Sequence, residues 1–172
     1  GFMLIEVSLI QKFILFLGHP ASAISVTLFS LLLSSGIGSL CSQRWKERLF
    51  RPALRASLIV GIQVISYTVI LPLLFGMSLN YESTTRFLIS FTLLFPLGFF
   101  MGMPFPLGIR LLEKETREHI PWMWSLNGAY SLLGSIVAVA SAITFGFNAT
   151  FLFGGLTYFA IFFFGHKRLE RS

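Results

Sequence analysis

Six stretches of this chain are apolar over about the length that a membrane-crossing helix needs, roughly 20 residues. They run from Gly1 to Gly18, ended by His19-Pro20; from Ala21 to about Ser42; and from Ser57 to Leu79. The others are Phe87 to about Leu112, interrupted by prolines, Ser125 to Phe145, and the short, aromatic Ala149 to Gly165. Strands are not expected, because apolar and polar residues rarely alternate and the runs are too long. The charge content agrees: 12% of residues are charged and 55% hydrophobic, whereas a soluble domain carries roughly 25% charged residues. With 20 Phe, disorder is excluded as well. The expected fold is all-α: one transmembrane helical bundle of about six helices spanning 1–172, whose first partner is the lipid bilayer.

The net charge is +6, but the cations fall between apolar runs rather than along one polar face. That argues against nucleic acid and for membrane topology. Arg44, Lys46, Arg48, Arg51 and Arg55 lie between the second and third runs, opposed only by Glu47. Lys114 and Arg117 lie between the fourth and fifth, with Arg110 just before them, and Lys167, Arg168 and Arg171 follow the sixth. The intervening turns at 18–22 and 146–148 have no Lys or Arg, and 80–86 has one. Cytoplasmic loops are enriched in Lys and Arg, so the pattern predicts both ends inside the cell, and the expected location is the bacterial inner (plasma) membrane. Trp45, Trp122 and Trp124 fall at predicted cytoplasmic boundaries and Tyr81 at the opposite one, as interfacial aromatics do.

Chemistry is harder to find. Cys41 is the one cysteine, and His19, His119 and His166 stand far apart, so neither a disulfide nor a metal site is expected. No nucleophile–base pair is visible, and no catalytic or cofactor-binding residue is assigned. Small residues suggest close helix packing: Ser30, Ser34 and Gly38 in the second run, Gly98 and Gly102 in the fourth, and Gly128, Ser131, Ser135, Ala138 and Ala142 in the fifth. Pro104 and Pro106 predict a kink or break near Gly102–Pro106, since proline removes a backbone donor and crowds the preceding turn. The charges after it, from Arg110 to Glu118, have the spacing of a helix entering water. Phe29 to Arg44 loosely echoes Phe91 to Arg110, a hint of duplicated hairpins.

Glu6, Gln11 and Lys12 put polarity inside the first run, where it is costly and tends to mark function. Lys12 is about 9 Å from the boundary at Gly18, at 1.5 Å per residue, and its long stem can reach water. Glu6, about 18 Å from the same boundary, cannot. It has to be neutral, paired or beside a wet cavity, with Gln63, Tyr67 or Asn127 as candidate partners.

Four segments carry a resemblance: Gly1-Phe2-Met3-Leu4-Ile5-Glu6-Val7-Ser8-Leu9-Ile10-Gln11-Lys12-Phe13, Phe16-Leu17-Gly18-His19-Pro20, Gly102-Met103-Pro104-Phe105-Pro106-Leu107-Gly108 and Pro121-Trp122-Met123-Trp124-Ser125-Leu126-Asn127-Gly128. In order along the chain, they resemble the membrane region of spermidine-synthase-like multipass proteins. The resemblance implies a methyltransferase-fold domain, similar to polyamine aminopropyltransferases, in the same parent chain. That fold binds S-adenosylmethionine or its decarboxylated form. This chain has no Gly-rich loop after a strand and no Asp, so no catalytic or cofactor residue carries over. What carries over is the setting of Glu6, Gln11, Lys12, Pro104, Pro106 and Asn127. The apolar start at Gly1 reads as the interior of a helix, and the chain as a piece of a longer protein. Two functions are expected. One is a membrane anchor or module for a spermidine-synthase-like enzyme, without a catalytic site of its own. The other is a carrier for a small cationic or amphipathic molecule, using Glu6 and the Pro104/Pro106 break. An enzyme acting on a lipid-embedded substrate is the least supported.

Overall fold

The computed structural model describes residues 1–45, 49–78, 81–115 and 117–170, and no strand occurs among them. Lys46, Glu47, Arg48 and Arg171 lie outside the described residues, as do the side chains of Lys114, Glu115, Arg117 and Arg168. The helices are α1 (Phe2–Leu17), α2 (Pro20–Ser42), α3 (Phe50–Ser78), α4 (Ser83–Met101), α5 (Pro104–Glu115) and α6 (Ile120–Glu170), with a 3-10 turn at Arg117–His119 before α6.

α1 and α2 form a tight hairpin. Gly18 closes α1 in the left-handed conformation (φ 78°, ψ −12°), its N–H bonded to the Ile14 carbonyl. His19 is extended and Pro20 opens α2. Proline forces its predecessor out of the helical region, and its own missing N–H costs nothing at a first helical position.

α6 is a single run of helical residues with one exception, Gly146, at φ 84° and ψ 163°. A Cβ on Gly134 would lie 3.3 Å from that of Met3, and one on Gly154 would lie 3.2 Å from that of Leu4. In a straight helix those glycines would be roughly 30 Å apart, yet both meet consecutive residues of α1. The helix therefore doubles back at Gly146, in a conformation that only glycine adopts readily. Its two arms correspond to the expected fifth and sixth runs.

The second arm is wedged between α1 and α3. Gly154 faces Leu4 and Ile5, while Gly155 faces Val64. Contacts of Leu54 with Gly165, Gly61 with Phe159 and Val64 with Gly155 show that this arm and α3 are antiparallel. α2 and α4 run the same way, from the Phe29–Phe91 ring pair (6.4 Å) to the approach of Ser35 and Gly102. The two echoing segments thus lie side by side and parallel. Their seam is made of the small residues expected there. Ser30 and Ser34 are fully buried, and no Cβ fits at Gly38, Gly98 or Gly102 without meeting the opposite helix.

The main core joins Ile5, Leu9, Phe13 and Phe16 of α1 to Leu31, Val60, Val64, Leu94, Leu97 and Phe151. Phe16 stacks on Phe75 with ring centroids 4.2 Å apart. A smaller cluster of Leu49, Ala56, Met103 and Leu107 sits at the end where the basic segments lie. Outward faces are equally apolar: Leu15 is 81% and Ile143 82% exposed. Among the described residues, four stretches are long and apolar enough to cross a membrane: Pro20–Ser42, Phe50–Met77, Ser83–Glu113 and Ile120–Lys167. The expected six differ from these four at two places: α1 has only 16 residues, and the doubled α6 counts once. Several buried hydroxyls bond within their own helices, as Ser8 to the Leu4 carbonyl (2.8 Å) and Ser90 to that of Arg86 (2.8 Å). This removes the cost of carrying them into an apolar medium.

Candidate functional site

The expected break near Pro104 separates α4 from α5. The Gly102 N–H reaches the Gly98 carbonyl at 3.0 Å and Met103 N–H that of Phe100 at 3.3 Å, so the last turn tightens. Pro104 then opens α5 as its first residue, where a proline is well tolerated. α5 is tied to the end of α2 by Arg110, whose guanidinium donates to the carbonyls of Ser42 (3.1 Å) and Trp45 (2.9 Å). The Ser42 carbonyl closes α2 and also accepts the Trp45 N–H at 3.3 Å, while that of Trp45 lies just past the helix end, where carbonyls lack the regular helical partner.

A cavity of about 800 Å³ opens beside the break. Gly102, Pro104, Phe105, Pro106 and Gly108 form one wall, Ser35, Gly36 and Ser39 of α2 another, and Met123, Asn127 and Ser131 of α6 a third. Phe2 and Met3 of α1, with Thr157, Tyr158 and Ile161, complete it. Three of the four segments that carry the resemblance meet here. Phe105 and Trp124, one from each of two such segments, form an edge-to-face pair at 5.2 Å.

Gln11 and Lys12 are elsewhere. They line a second cleft of about 330 Å³ at the opposite end of α1, with Leu15, Leu71, Pro72, Phe75, Phe147 and Asn148. The Lys12 ammonium donates to the Asn148 side-chain oxygen and lies 5.6 Å from the centre of the Phe151 ring. Asn148 has no prominence in the sequence. It follows the turning Gly146, and only the reversal of α6 brings it to α1.

Glu6 stands between the two cavities. It is three residues beyond Met3 and five before Gln11, roughly 4.5 and 7.5 Å along the axis. It is only 8% exposed, and no hydrogen bond or ion pair to it is found among the described residues. None of the three expected partners bonds it. The Tyr67 hydroxyl donates to the Leu93 carbonyl at 2.6 Å. The Gln63 side-chain oxygen is buried without a partner, and Asn127 lines the large cavity. The Thr27 and Ser30 hydroxyls are also buried and unpartnered.

The small-residue stripe of the first arm of α6 divides. Ala138 and Ala142 are buried, as packing requires, but Gly128 has nothing within 4 Å and Ser131 faces the cavity. No group of three metal-ligating side chains occurs among the described residues. No protein-family model, curated protein or solved structure matches the chain, so the likeness to spermidine-synthase-like proteins rests on the quoted residues alone.

Proposed function

We propose that the chain is a membrane-embedded module of six crossings, with both ends on the side of the basic loops, and that it binds and carries a small cationic or amphipathic molecule. Six crossings are supported by adding α1 and the second arm of α6 to the four long apolar stretches among the described residues, and the reversals at Gly18 and Gly146 favour a common side for the basic segments. The observation that carries the reading is Glu6: a buried carboxylate without a bonding partner among the described residues, on the helix that walls both cavities. A charge at such depth is retained where it meets a substrate or a proton. Broken helices beside a central site are a recurrent transporter device, and the α4–α5 break lines the larger cavity. The test is uptake of a radiolabelled polyamine by proteoliposomes. Wild-type uptake should fall at least tenfold in Glu6→Gln, whereas unchanged uptake discards the role of Glu6. Reporters fused at Trp45 and Tyr81 should lie in opposite compartments, and the same compartment for both overturns the six-pass arrangement.

A second reading is that the helices anchor a spermidine-synthase-like enzyme domain of the parent chain. It is favoured by the convergence of three of the four resembling segments on one cavity at the basic end, the side such a domain would face. It predicts no S-adenosylmethionine binding by this chain, and calorimetric binding to the purified protein would remove it. Wild-type proteoliposomes that take up nothing would leave the anchor as the better account.

A further inference from the structure

We propose that the cleft around Lys12 binds the phosphate of an anionic phospholipid, in the leaflet on the side of the Gly18 and Gly146 turns. Lys12 is half-buried, and its ammonium meets only an amide oxygen and an aromatic face. No carboxylate pairs with it among the described residues, and no acidic residue lines the cleft. An ammonium has three donors. With one given to Asn148, two remain. The amides of Gln11 and Asn148 bring further N–H donors to the same cleft. A cation surrounded by donors and lacking an anion is complementary to a phosphate.

The rest of the cleft says what the phosphate is attached to. Leu71, Pro72 and Phe75 form an apolar wall, which a free inorganic anion would leave unused and an acyl chain would cover. The neighbouring Leu15 is 81% exposed, so the cleft faces the surroundings of the helices rather than their interior. Depth agrees, because Lys12 is about 9 Å below the Gly18 turn and its stem spans much of that distance. Basic pockets between membrane helices bind acidic headgroups on the same principle. Nothing in this site depends on Glu6 or on the larger cavity, so it stands apart from transport.

The test is native mass spectrometry of the full chain, delipidated in neutral detergent and titrated with phosphatidylglycerol or with phosphatidylcholine of the same acyl chains. The first phosphatidylglycerol should bind at least tenfold more tightly than phosphatidylcholine, and inorganic phosphate should compete weakly. Lys12→Gln should abolish the preference and Lys12→Arg should keep it. Asn148→Asp retains the lysine but supplies a carboxylate to pair with it, and it should also abolish the preference. This variant decides the matter if Lys12→Gln does not fold. Equal binding of the two lipids by the wild type, or a preference that survives Asn148→Asp, overturns the proposal. Inorganic phosphate binding as tightly as the lipid overturns its lipid part.

Discussion

Replacing Gly38 by alanine adds one methyl group where α2 meets the backbone of α4. That methyl would land on the Phe99 carbonyl, with the carbonyl carbon at 2.9 Å and the Phe99 Cα at 3.2 Å. Carbon atoms pack best at about 3.5–4.0 Å, and both sides of this contact are backbone, so no side chain can swing away. Because the methyl overlaps the carbonyl oxygen most deeply, α2 and α4 must part by more than about 1 Å. A gap of that size forfeits about half or more of the dispersion energy along the seam, and overpacking of this kind costs about 1–3 kcal/mol. The substitution also returns up to about 1 kcal/mol, because alanine is the better helix former. The net expectation is a loss of about 1–2 kcal/mol, a five- to thirty-fold fall in the folding equilibrium constant. Gly36→Ala is the control. It lies two residues away on the same helix with nothing within 4 Å, so it gains the propensity term without the clash. Thermal unfolding of the two variants in one detergent, followed by circular dichroism, should place Gly38→Ala below the wild type and Gly36→Ala at or above it. Equal stability of the two would refute the close-packed seam.

Three further outcomes are expected. Tyr67→Phe removes the 2.6 Å bond to the Leu93 carbonyl that links α3 to α4 and should cost about 1 kcal/mol, read as a lower unfolding midpoint. Gly146→Ala places a side chain at φ 84° and ψ 163°, a region reserved for glycine, and should cost about 1–3 kcal/mol, while Gly76→Ala, in open space, should not destabilise. Arg110→Met leaves the carbonyls of Ser42 and Trp45 without their charged donor. Limited proteolysis should then cut between α2 and α3 faster than in the wild type.

The helices were legible because lipid-length apolar runs leave few alternatives, and Gly18-His19-Pro20 and Gly102-Met103-Pro104 punctuate them with residues whose backbone limits are known. Starts were less legible. α3 begins at Phe50, seven residues before the expected Ser57, and α6 at Ile120 rather than Ser125. Arg51 and Arg55 mark a boundary by charge, yet arginine is a good helix former and the helix continues through them. The α2–α4 seam followed from Ser30, Ser34 and Gly38. The equivalent stripe on α6 did not hold along its length, because small residues permit close approach without supplying the helix that approaches. Pro104, Pro106 and Asn127 converge on one cavity and Gln11 and Lys12 on another. That division depends on which end of α1 each faces, and spacing along one helix does not specify it. Asn148 was invisible because a one-residue reversal, rather than local pattern, carries it to Lys12.

That reversal also governs how the last third of the chain can be handled. With a single glycine between two antiparallel rods, no strand of loop protrudes for a protease to enter or an antibody to grip. The pair should resist nicking at 146, behave as one unit in any truncation series, and lose its register with α1 and α3 when even a short tag is spliced into the bend.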